Sequence, residues 1–197
     1  MGTRRRIKSL NYRGEEKLLL EKIKKDPKEF GVLFDQHYNG IFGYVLRRTL
    51  NYDLAGDITA ETFLKAFLKI GSFKWKGISI NSWLFRIATN EINYYYRKQK
   101  YSPRSLDLLL DRDNFDIKNP ESLEEERTRI EEELKAHNDF IEVQKKLAQL
   151  PVKYQEVIAL KYFEEKSIKE ISEILDKKEG TVKSLISRGL QKLRESF

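Results

Sequence analysis

The sequence predicts an all-α protein: two small helical domains joined by an acidic linker, the second a helix-turn-helix. Three observations carry that prediction. Apolar residues recur at three- and four-residue intervals through most of 28–101 and again through 136–197. Charge divides the 197-residue chain into blocks, with a net of +6 over 1–25, +4 over 26–101, −5 over 102–135 and +2 over 136–197. Between the two periodic stretches, Ser102-Pro103 and Asn119-Pro120 interrupt the helical signal. The expected organisation is therefore a basic N-terminal tail with a short helix (1–25), a helical domain (26–101), a linker (102–135) and the helix-turn-helix domain (136–197).

Composition narrows the function. Hydrophobic residues are 40% of the chain, enough for a core, and charged residues are 35%, above the usual quarter. No run approaches the roughly eighteen apolar residues of a membrane span. The basic start T-R-R-R-I-K is not followed by an apolar stretch, so no signal peptide is expected and the chain reads as cytoplasmic. The lack of cysteine excludes disulfides and thiolate metal sites. His37 and His137 are lone histidines a hundred residues apart, so neither a metal centre nor a histidine acid–base site is expected. The net charge of +7 favours a polyanionic partner.

Taken in order, the N-terminal segment is basic, then briefly periodic through Leu18, Leu19, Leu20 and Ile23. Its helix should end before Asp26-Pro27, because a residue preceding proline avoids the helical region. From Lys28 to Leu50, Phe30, Leu33, Phe34, Tyr38, Ile41, Phe42, Val45 and Leu46 mark a core-facing helix. Asn51-Tyr52-Asp53 reads as a turn in which Asp53 can cap the next helix, Leu54 to Ile70. There Ile58, Phe63, Ala66, Phe67 and Ile70 form the buried side. Asp57, Glu61 and Lys65 form an exposed one with an acid–base pair between the last two. Gly71 to Gly77 is a loop that carries Phe73 and Trp75 beside two lysines. The rings either pack back onto the domain, which the residues alone favour, or stack on unpaired bases.

Residues 79–101 form the most informative helix. Leu84, Ile87, Ala88, Ile92 and Tyr95 fall on an apolar side. Arg86, Asn90, Asn93, Arg97 and Lys100 fall on another, at spacings of four, three, four and three. Two guanidiniums, two carboxamides and an ammonium suit a ligand with phosphates and base edges. A solvated amphipathic face would also accommodate them.

The last block opens with a helix through Phe140, Ile141, Val143 and Leu147, and Pro151 starts a second through Tyr154, Val157, Ile158 and Leu160. Ser167 with Glu170 is a capping box for the next helix. Ile168, Ile171, Ile174 and Leu175, then Val182, Ile186, Leu190 and Leu193, give two buried stripes across a tight turn at 176–178. That is a helix-turn-helix. Its second helix presents Glu179, Thr181, Lys183, Ser184, Ser187 and Arg188, a set suited to the major groove.

Three motifs in this order, D-I-T-A-E-T-F-L-K-A-F at 57–67, W-L-F-R-I-A-T-N at 83–90 and E-G-T-V-K-S-L-I-S-R-G-L-Q-K-L-R at 179–194, resemble the extracytoplasmic-function (ECF) group of bacterial RNA polymerase sigma factors. The resemblance covers roughly 28–101 and 138–197. It implies that Asp57, Thr59, Glu61 and Thr62 dock on the clamp of the largest polymerase subunit. It implies that Phe73, Trp75, Arg86, Asn90, Asn93 and Arg97 melt and read the −10 promoter element, with a base flipped into a pocket at the 73–80 loop. The helix-turn-helix, through Lys178, Glu179, Thr181, Lys183, Ser184, Ser187 and Arg188, would read the −35 element as duplex and touch the flap of the second-largest subunit. Core RNA polymerase and promoter DNA are the implied partners, an anti-sigma factor a further one, and no cofactor or catalysis is implied. Ala60 stands where the family commonly has glutamine, which removes a polar group from the docking face. Asp176 replaces the usual turn glycine, and Lys177 and Lys178 replace an apolar residue and a capping serine. A duplex-binding regulator whose N-terminal helices sense a ligand or dimerise is the competing reading. A magnesium nuclease lacks a recognisable cluster of carboxylates with a lysine or histidine.

Overall fold

The computed structural model describes residues 2–73, 78–100 and 141–197, with side chains placed from Gly14 to Phe73, Ile78 to Gln99 and Ile141 to Phe197. Every regular element among them is helical, as the periodicity predicts. The expected linker, Phe140 and Trp75 lie outside the described residues.

Helix α1 runs Gly2–Lys25, a single helix where the sequence predicts a tail and a short helix. It ends where Pro27 requires: Asp26 is extended and its side chain accepts from the Lys28 amide at 3.0 Å. One 3-10 turn, Pro27–Glu29, leads into α2, Phe30–Thr49. Helix α3 spans Tyr52–Ile70, and its N-cap is Asn51 rather than Asp53. The Asn51 backbone is extended and its side-chain oxygen accepts from the Leu54 amide at 2.8 Å, whereas Asp53 already lies in the first turn. Helix α4 is Ile80–Lys100, and Ser79 Oγ accepts from the Ser82 amide at its start.

These helices bury Leu33, Ile41, Val45, Ile58, Leu84 and Ile92 between them. A run of rings, Phe34, Tyr38 and Phe42 on α2 with Phe63 on α3, closes one side at centroid distances of 4.8–6.2 Å. Phe67, expected inside, is 41% exposed and meets Phe30 edge-on. A polar seam ties α2 to α4. Arg48, only 2% exposed, donates to Tyr44 Oη, which shares a hydrogen bond with Thr89 Oγ1 at 2.9 Å, and Tyr96 donates to the Arg48 carbonyl. Burial pushes the Tyr44 phenol above its usual range.

In the second block, helical residues 141–149 (α5) precede α6, Val152–Ile158, which runs on as a π-helical turn, Ala159–Phe163. Helix α7, Ile168–Leu175, carries the predicted capping box: Ser167 Oγ accepts from the Glu170 amide, and Glu170 accepts from the Ser167 amide. Helix α8 is Glu179–Arg194. Gly189 lets it lie on α6, because a Cβ there would sit 2.9 Å from Ile158 Cδ1 and 3.2 Å from Tyr154 Cβ. The sequence predicts blocks at two ends of a linker; in the structure they abut, and their buried apolar residues form one contiguous cluster.

The same substitution should therefore have opposite signs at two glycines. Gly40→Ala, with open space at its Cβ, is expected to stabilise by roughly 0.5–1 kcal/mol. Gly189→Ala gains the same helix propensity but overpacks, a cost of about 1–3 kcal/mol, for an expected net loss. Urea midpoints of the two variants against the parent check both signs.

Candidate nucleic-acid interface

The turn between α7 and α8 depends on Asp176, which takes the left-handed conformation (φ 52°, ψ 49°) that glycine usually supplies. Its amide donates to the Ser172 carbonyl, closing the helix end. Lys178 precedes α8 with no side-chain cap, which leaves its ammonium exposed at the helix start. Val182 and Ile186 are buried, so the opposite face points outward. Lys178, Glu179, Thr181, Lys183, Ser187 and Arg188 are exposed on it, and Ser184 is half-buried. Six of the seven residues predicted to contact DNA from this helix and its turn are thus open to solvent.

On α4 the predicted set divides. Asn90 and Arg97 are exposed, while Arg86 and Asn93 are half-covered by the second block. Arg86 donates through Nε (3.1 Å) and Nη2 to the carbonyl of Glu173, in the last turn of α7. Carbonyls in that turn have no partner within the helix, and the end carries partial negative charge, so a guanidinium suits it on both counts. Asn93 Nδ2 donates to Glu156 Oε2 at 3.3 Å. On α2, Arg47 pairs with Glu164 and lies 6.0 Å from the centroid of Phe163. Phe73 is half-buried with its ring 4.7 Å from that of Trp83, so it packs back on the domain.

The predicted docking face on α3 needs correction. Thr59 and Thr62 are fully buried; Thr62 Oγ1 donates to the Ile58 carbonyl at 2.7 Å, and Thr59 Oγ1 has no hydrogen-bond partner. They fall in step with buried Ala55 and Ala66 at three- and four-residue intervals, which turns them inward. What α3 exposes is Asp57 and Ala60, partly exposed Glu61, and two leucines the sequence reading passed over, Leu64 (52%) and Leu68 (71%). Leu64 three residues after Glu61 and Leu68 four further on, along the same exposed stripe, are the signal for it in the sequence. Lys65 bonds Glu61 as predicted and also Glu91 of α4, at 2.6 Å. The Glu91 hydrogen bond holds its pKa above the ordinary lysine value.

Among the described residues no cluster of His, Asp and Glu could hold a metal, and no helix is long and apolar enough to cross a membrane. A helix-turn-helix joined to a helical block with a polar helix face is an arrangement suited to DNA binding. The comparisons give the family. The Sigma-70 region 2 profile matches residues 33–101, and the Sigma-70 region 4 profile matches 140–193. The ECF RNA polymerase sigma factor SigW of Bacillus subtilis (strain 168) is 32% identical over 185 residues, covering 90% of this chain and 94% of that protein. The ECF RNA polymerase sigma-E factor of Haemophilus influenzae is 30% identical, covering 92% and 95%. The structure of CnrH in complex with the cytosolic domain of CnrY shares the fold at a TM-score of 0.64 with 19% identity, covering 91% and 95%. RpoE of Bartonella quintana, co-crystallised with the anti-sigma factor NepR, does so at 0.62 with 23%, covering 85% and 96%. This chain belongs to the ECF sigma factors and directs promoter-specific initiation of transcription.

The contact between blocks has a pH signature. Burial, and then the charge of Lys166, hold the His37 imidazole below its ordinary 6.5. Lys166 itself lies 4.5 Å from the Phe85 ring. The unfolded chain therefore binds the proton first, so the contribution of His37 is intact above 6.5 and is lost as pH falls through the folded value. Urea midpoints taken from about pH 7.5 down to about 5.5 should fall more steeply for the parent than for His37→Gln.

Proposed function

We propose that this sigma factor engages core polymerase and its promoter through three surfaces. Asp57, Glu61 and the exposed Leu64 and Leu68 of α3 form the clamp-docking face, where an exposed apolar pair following two carboxylates suits a protein partner. Asn90 and Arg97, with Arg86, Asn93, Phe73 and Trp75, form the −10 surface, which takes the non-template strand once the duplex opens. The exposed face of α8 enters the major groove of the −35 element, with Lys178 at the helix start near a phosphate. The helix-turn-helix block also contacts the flap of the second-largest subunit, and an anti-sigma factor is a further partner of the chain. The chain performs no catalysis; the polymerase does. The observation that carries this reading is the outward presentation of the α8 set across an intact helix-turn-helix.

Reconstituted transcription is the test. Core enzyme with this protein should start defined transcripts from genomic fragments, and core enzyme alone should not. Asn90→Ala should keep polymerase binding and lose promoter opening, read by permanganate reactivity; equal loss of both would make Asn90 structural. Arg188→Ala should weaken duplex binding, with about one unit less salt slope if it meets a phosphate, or relaxed choice at one base pair if it meets a base. An unchanged affinity removes it from the interface.

A further inference from the structure

Helix α4 is tied to α2 by polar contacts at two points, and each lies beside a residue of the −10 surface. Thr89 Oγ1 donates to the Phe85 carbonyl at 2.8 Å, which uses its only proton. The 2.9 Å bond between Thr89 and Tyr44 is therefore donated by Tyr44, whose oxygen accepts in turn from Arg48 Nη1 at 3.1 Å. One donor chain thus runs from Arg48 through Tyr44 and Thr89 to Phe85. It is dry: Arg48 and Thr89 are each 2% exposed, and Tyr44 is fully buried. The second tie lies two turns on, where Tyr96 Oη donates to the Arg48 carbonyl at 2.9 Å. The residue that follows each tie on α4, Asn90 after Thr89 and Arg97 after Tyr96, is an exposed member of the −10 set.

Stability is a poor explanation for this arrangement. Taking a guanidinium out of water is costly, and Arg48 Nε and Nη2 are buried with no hydrogen-bond partner among the described residues. An apolar side chain of similar size would fill the same place at less cost. What apolar packing supplies poorly is a unique geometry, because repacked cores lose uniqueness before they lose stability. A hydrogen bond fixes both a distance and an angle. Two such ties, seven residues apart on α4, set the rotation of that helix about its own axis.

We propose that Arg48, Tyr44 and Thr89 are positioning residues for promoter opening. With Tyr96 they hold α4 at the rotation that presents Asn90 and Arg97 to the −10 strand. This rests on the −10 reading given above and adds to it residues that lie beneath the DNA-facing side.

The test uses the full chain with core polymerase on a promoter fragment from which the parent makes a transcript. Polymerase affinity, urea midpoint and permanganate reactivity of the −10 segment are measured for each variant. Arg48→Met should keep or raise the midpoint and keep polymerase affinity. It should nonetheless lower open-complex formation about tenfold, since a small misplacement of reacting groups costs that much or more. Tyr44→Phe and Thr89→Val are gentler changes that cut one and the same bond, and they carry the test on their own. Each should lower opening, and the two together no more than either alone. Thr89→Ser retains the hydroxyl and should open like the parent. So should the packing control Ile92→Val, buried on the same helix with no polar atom. Opening that falls only in step with the midpoint, Ile92→Val included, would make the seam structural and overturn the proposal. Asn90→Ala, run alongside, separates the two claims. If it fails to open while the seam variants open like the parent, the −10 reading stands and the positioning falls. If it opens like the parent, the −10 reading falls, and the positioning of Asn90 with it.

Discussion

Where the two blocks meet, two guanidiniums of the first find oxygen acceptors on the second, beside the apolar cluster that the blocks share. Arg86 of α4 closes on the last turn of α7, where a helix has carbonyls to spare, and Arg47 of α2 closes on Glu164. Neither contact is a general feature of helix packing. Each needs a cation on the first block to lie opposite an acceptor on the second, and the fold arranges that twice, with the neutral amide of Asn93 on Glu156 as a weaker third contact.

The π-helical turn is the local device behind this. Over Ala159–Phe163 the backbone takes the wider turn, and the Glu164 amide reaches back to the Ala159 carbonyl. Glu165 then adopts a left-handed conformation (φ 51°), so the chain leaves α6 abruptly. Glu164 is thereby delivered to Arg47, and Lys166 to the face of Phe85. Turns of this kind are uncommon and concentrate where a side chain has to be re-aimed. Beyond them the chain resumes ordinary geometry, with a capping box, a short helix and the Asp176 turn, so the start of α8 follows from local rules.

That division explains what could be read from the sequence. The helices, their apolar faces, the end of α1 at Asp26-Pro27 and the Ser167–Glu170 cap follow from spacing and side-chain chemistry, which are local. The outward set on α8 was legible for the same reason: Val182 and Ile186 fix which way the helix faces. On α3, Thr62 can go inside because a hydroxyl next to the backbone can satisfy itself, as it does on Ile58, so a polar residue does not mark an exposed face; Thr59 is buried without such a bond. Arg48 is a second polar residue on an inward face, where its guanidinium donates to Tyr44 and its carbonyl accepts from Tyr96. Nothing in the spacing of Arg86 or Asn93 could tell that protein oxygens, rather than solvent, would meet them. That depends on residues 63–87 positions away and on a π turn with no sequence signature.

Because the chain has no cysteine, dyes can be placed at will, and Lys28→Cys with Lys192→Cys puts one on each block at exposed positions. Energy transfer between them, followed as core polymerase and then promoter DNA are added, reads the separation of the blocks in the working complex. Transfer should be high in the free protein and fall markedly in complexes that go on to make transcript. High transfer that persists in transcribing complexes would mean that Arg86, Asn93 and Arg47 never give up their protein partners, and would contradict that expectation.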